Sequence, residues 1–110
     1  MNPPLPIRIV SSAARAIAEA ADWWATNRPK APDALITNLE SALQLIASHP
    51  GIGARARNVN LEGVRRVHLA RVHYHLYYRV TPESAIEVLA LWHTSREVSP
   101  KLLPALSDQR

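Results

Sequence analysis

"GVRRVHLARVHYHLYYRV", residues 63–80, decides how the second half of the chain folds. Its period is two. From His73 to Val80, side chains of an extended strand alternate, so Tyr74, Leu76, Tyr78 and Val80 share one side. His73, His75, Tyr77 and Arg79 take the other. Val64 to Leu69 has the same β-branched character, and the break at Ala70–Val72 makes the pair a hairpin. "TPES", residues 81–84, supplies the next turn. Ala85 to Trp92 follows as a strand apolar on both sides, with Ile86, Val88, Ala90 and Trp92 against Leu89 and Leu91. A strand apolar on both sides belongs in the interior of a sheet. Short connections then predict a three-stranded antiparallel meander.

The first half has a different period. Pro3, Pro4 and Pro6 make residues 1–6 an extended arm, and Ile7 to Val10 reads as a strand. Ser11 or Ser12 is placed to cap a helix, because a hydroxyl accepts from the free N–H groups of a first turn. Ala13 to Asn27 is alanine-rich, with Ala13, Ile17, Ala20 and Trp24 on one stripe. The prolines of "NRPKAP", residues 27–32, stop it. Asp33 to Ser48 is the second helix, its core face set by Leu35, Leu39, Ala42, Leu43 and Ile46. "HPGIG", residues 49–53, ends that helix. The expected fold class is α+β: a strand, an antiparallel helix hairpin, then the meander, as a single sheet with the helices on one face. The 110 residues are read as one domain, with residues 98–110 a C-terminal tail.

The formal charge of +4 lies wholly in residues 55–110, since residues 1–54 carry equal numbers of acidic and basic side chains. Eleven arginines stand against two lysines. Guanidinium forks match carboxylates and phosphates, which points to an acidic or phosphate-bearing partner. Cysteine is absent, excluding disulfides, zinc–thiolate sites and a thiol nucleophile. The first residues lack the layout of a signal peptide, and no apolar run reaches membrane-spanning length, so a soluble cytoplasmic protein is expected.

Three chemistries compete for the polar residues. His68, expected opposite His73, would bring three imidazoles, with His75, onto one face. No carboxylate or cysteine is spaced to join them and Arg66 shares the face, so no metal or other cofactor is expected. A metal-independent nuclease would need a base, an acid and phosphate-holding cations. Arg65, His93 and Arg96 are the candidates for it. The serines lack a nucleophile-elbow context, and "GIGAR" lacks the lysine and helix of a phosphate loop. A binding surface would instead use Arg55, Arg57, Arg65, Arg66, Arg71, His73, His75, Tyr77, Arg79, His93 and Arg96. Trp23 and Trp24, about 100° apart on a helix, cannot both face one core, so one is an interface candidate. Arg65 shares a side with Val67 and Leu69, so it should be partly buried and need an acceptor.

The order strand–helix–helix–meander, with "AADWWATNRPKAPDAL", "HPGIG", the 63–80 hairpin and "IEVLALWHTSRE", resembles the RelE/ParE toxin superfamily, its ParE branch most closely. The resemblance implies a bacterial toxin neutralised by a ParD-like antitoxin with an acidic or amphipathic C-terminal segment, and DNA gyrase as target. RelE-like relatives cleave mRNA on the ribosome. The family's arginine falls on Arg65 and its closing His-x-x-Arg on His93 and Arg96. Lysines are scarce and no tyrosine follows Tyr78, a departure from the nuclease branch. A homodimer, a toxin–antitoxin hetero-oligomer and an inactive binding module of the same fold all stay open.

Overall fold

The computed structural model describes residues 3–57, 59–95 and 102. Two helices and a five-stranded mixed sheet make up the chain. In order they are β1 (Ile7–Ile9), α1 (Ser11–Asn27), α2 (Ala34–Ser48), β2 (Ala54–Arg55), β3 (Arg65–Leu69), β4 (Tyr74–Val80) and β5 (Ile86–His93). The sheet order is β1-β5-β4-β3-β2. β1 runs parallel to β5, while β2, β3, β4 and β5 pair antiparallel. The short edge strand β2, within a stretch too brief to show a period, is an addition to the expected sheet.

Helix α1 begins at Ser11 with Val10 as its N-cap, so Ser11 and Ser12 are first-turn residues and neither side chain caps. The connection to α2 is held by Trp24, whose Nε1 donates to Ala31 O at 2.9 Å. α2 buries Leu35, Leu39, Ala42 and Ile46, four positions of one helical stripe. Each large aliphatic side chain buried this way contributes about 1.5–3 kcal/mol. The stripe packs with Val10, Ala13 and Ala20 onto Leu69, Leu76, Tyr78, Ile86 and Val88 of the sheet side of the core.

Three details depart from simple alternation. The β3–β4 turn spans residues 70–73 and closes on the Leu69–Tyr74 pair, so His68 faces His75 rather than His73. His73 ends that turn with a left-handed φ of 64°, a conformation histidine tolerates better than most residues. The β4–β5 ladder carries a bulge: Tyr77 pairs with Ala90 and Tyr78 with Val88, leaving Leu89 as an extra residue. Tyr77, expected outward, is therefore opposed by both Leu89 and Ala90 and is 2% exposed. Val80, which alternation puts on the side of the buried Leu76 and Tyr78, is 42% exposed. The β3–β4 ladder stops at Arg65–Tyr78, so Val80 has a strand on one side only.

Candidate functional site

The register sorts the candidate residues into three groups. At the end of the sheet where β3 begins, Tyr78 is fully buried and its hydroxyl donates to Pro50 O at 2.7 Å. The same oxygen accepts from Gly53 N–H at 3.0 Å. Arg65 Nη1 donates to Gly53 O at 2.7 Å. The acceptor that a part-buried Arg65 requires is thus the chain's own backbone. Gly53 has to be glycine, since a Cβ there would lie 2.8 Å from Tyr78 Oη and 3.1 Å from Arg65 Cβ. Arg79 Nε donates to Glu87 Oε1 at 2.7 Å, and Glu87 is 2% exposed. Asn60 closes this end by exchanging two hydrogen bonds with the backbone of Leu102, at 2.7 and 3.0 Å. Arg55 stands opposite Arg65 across the β2–β3 pair, and both line a cavity of about 540 Å³ with Arg57 and Glu62.

The second group lies on the sheet face turned away from Tyr78. Register places His68, His75 and Trp92 in one row across β3, β4 and β5, next to a row formed by Arg66, Tyr77 and Ala90. The His68 and His75 rings are 5.1 Å apart, and Tyr77 meets His75 edge-on at 6.4 Å. Burial, then Arg66, then His68 hold the His75 pKa below its ordinary 6.5. His75 is therefore neutral at pH 7, which lets it sit beside a guanidinium. His73 is not part of this cluster, so the three imidazoles do not come together. Among the described residues no set of three histidine, aspartate or glutamate side chains could hold a metal.

The third group is at the opposite end of the sheet. Trp23 and Trp24 from α1 and Arg28, which caps its C-terminus, meet Arg71 and His73 from the β3–β4 turn, Tyr74 from the start of β4 and His93 from the end of β5, around a cavity of about 510 Å³. Trp24 is anchored, whereas Trp23 is 49% exposed. The Arg28 guanidinium lies 5.5 Å from the Trp23 ring and 5.8 Å from the Trp24 ring. His93 packs edge-on against Tyr74 at 5.1 Å. Its Nδ1 lies 2.7 Å from the Ser95 hydroxyl and accepts from the Ser95 N–H at 3.1 Å. That engages the lone pair a general base would use and leaves Nε2 as the N–H side.

Arg65 and His93 do not share a site. Arg65 pairs with Tyr78 and His93 with Tyr74, four residues apart on β4 or about 13 Å along the strand. Two strand spacings separate them sideways as well, so one phosphate could not contact both. Arg96 lies outside the described residues. Arg28, Tyr74 and Glu87 are members of these groups that sequence reasoning passed over. The i, i+4 spacing of Trp24 and Arg28 was the available signal for the first. Glu87 could be found only through the cross-strand register.

The fold and the order of these landmarks can be set against known proteins. A family model described as the ParE toxin of the type II toxin–antitoxin system parDE matches residues 7–98. The chain belongs to the ParE toxin family. That match runs from β1 through β5, so every element described above lies within the family's own extent. A solved structure, the chromosomal ParDE toxin–antitoxin system from P. aeruginosa, contains a chain similar in fold at a TM-score of 0.67 and 16% identity. The match covers 83% of this chain and 97% of that one. No curated protein matches the chain. As a ParE-type toxin, the protein presents arginine and histidine on two separate surfaces, the His68–His75–Trp92 face and the tryptophan groove. No described helix is long and apolar enough to cross a membrane.

Proposed function

We propose that this ParE-family chain arrests growth by binding DNA gyrase in the cytoplasm, and that a ParD-like antitoxin neutralises it. The observation that carries the reading is the family match over residues 7–98. The geometry supports inhibition by binding rather than RNA cleavage. The nuclease residues Arg65 and His93 stand at opposite ends of the sheet, and Arg65 Nη1 is bonded to Gly53 O. An acidic antitoxin segment fits the face that carries Arg66, His68 and His75, where charge complementarity sets orientation and association rate. Lying across that face, the segment would mask the toxin directly.

Purified gyrase, assayed for supercoiling with increasing toxin, decides the target. Loss of supercoiling, restored by the ParD-like partner, is the expected result. Supercoiling unchanged at large toxin excess, together with cleaved messages in primer extension from arrested cells, would overturn it. Arg66→Glu should leave gyrase inhibition in place while weakening antitoxin rescue.

A further inference from the structure

His68 and His75 stand directly opposite each other across the β3–β4 pair. His68 is exposed and His75 half-buried. Among the described residues neither imidazole takes part in a hydrogen bond, so each keeps a nitrogen lone pair to offer. Neutral imidazole is the commonest side-chain ligand of metal ions. The two rings also have the spacing of imidazoles that share one ion. With zinc–nitrogen bonds of about 2.0–2.1 Å, rings at a tetrahedral angle have centroids about 5.2 Å apart, and rings at a right angle about 4.5 Å. The separation here is 5.1 Å, and the 60° tilt keeps the rings from lying flat on each other. Tyr77 packs edge-on against His75, and β3 and β5 pair with β4 on both sides, so the spacing is held by the sheet.

We propose that His68 and His75 form a two-histidine zinc site on the sheet face turned away from Tyr78. The ion ties β3 to β4 and leaves two tetrahedral positions to water. Imidazole nitrogens favour zinc over magnesium or calcium, which take oxygen ligands. The near-tetrahedral spacing favours it over a square-planar ion. Two features keep the binding weak and reversible. Glu87, a carboxylate of this face, lies two rows further on and is bonded to Arg79, so it adds no third ligand. Arg66 stands in the neighbouring row, and its charge repels a cation. His73 is close in sequence but ends the β3–β4 turn with its left-handed φ, outside the pair. The inference stands apart from the toxin reading, since zinc uptake by the purified chain needs neither antitoxin nor gyrase.

Isothermal titration of zinc chloride into the purified full-length chain, free of any histidine tag, tests the site. Uptake of one ion per chain is expected, and calcium chloride should give no binding heat. Losing a ligand should cost at least as much as losing a ligand's own partner, so His68→Gln and His75→Gln should each weaken zinc binding at least about tenfold. His73→Gln should bind as the parent does. Arg66→Gln should bind more tightly, because a repelling charge is gone. His68 is exposed, so its replacement leaves the fold standing, and the rise in melting temperature that zinc brings should disappear with it. Equal weakening by His73→Gln would place the ion elsewhere and overturn the proposal. So would unchanged binding in His68→Gln, or no zinc uptake by the parent at millimolar ion.

Discussion

The two ends of the sheet treat the same residue types in opposite ways. Where β3 begins, Arg65 bonds Gly53 O, Tyr78 bridges Pro50 and Gly53, and Arg79 is paired with a buried carboxylate. Where β3 ends, Arg28 and Arg71 stand beside aromatic rings without a carboxylate. An arginine whose donors are consumed internally holds the fold together. One left on indole faces is available to something outside. Residue type therefore says little about role here, and the position along β4 says a great deal.

The contrast can be broken at the closed end first. Arg79→Ala leaves Glu87 charged and buried, and should cost about 3–5 kcal/mol in urea unfolding. A loss below 1 kcal/mol would mean that this pair is not structural. Tyr78→Phe leaves a part-buried carbonyl and a buried N–H without their partner, and should cost about 1–3 kcal/mol. At the open end, Arg71→Glu should move stability by no more than about 0.5 kcal/mol, since it removes no buried contact. A large change there would erase the distinction between the ends. The smallest effect is a pH slope. Because the His75 pKa is held below 6.5 in the fold, the unfolded chain takes up that proton first as pH falls. Its contribution is fully present above the ordinary pKa and declines as pH drops through it toward the folded value. Thermal melts at pH 7.5 and 5.0 should show a smaller difference in His75→Gln than in the parent.

Much of this was legible in the sequence. The stripe of Leu35, Leu39, Ala42 and Ile46 announces α2, and the alternation of Leu76 and Tyr78 gives the buried side of β4. The need of Arg65 for an acceptor followed from the same alternation, although the acceptor's identity did not. Gly53 is remote from Arg65 along the chain, and only the return of "HPGIG" onto β3 and β4 brings them together. The candidate sites were harder to read. Cross-strand pairs depend on the length of each turn, so a four-residue turn in place of an even shorter one moved His73 out of the histidine row. The grouping of Trp23 with Arg71 and His93 depends on how α1 crosses the sheet, which no local pattern encodes.

The extra residue at Leu89 has a consequence for the chain's two exposed surfaces. Before it, Ile86 and Val88 share the side of Tyr78; after it, Leu91 and His93 take that side and Trp92 takes the other. A strand is a parity counter, and the bulge adds one to the count. Without Leu89, Val88 and Ala90 would follow one another opposite Tyr78 and Tyr77, and the ladder would run on with His93 still beside Tyr74 and Trp92 still beside His75. The bulge is therefore one residue of slack, and a single-codon deletion at Leu89 takes it up without turning any side chain over. A second deletion in the same strand finds no slack left: it shifts the parity, carries His93 across to His75 and exchanges the chemistry of the two surfaces.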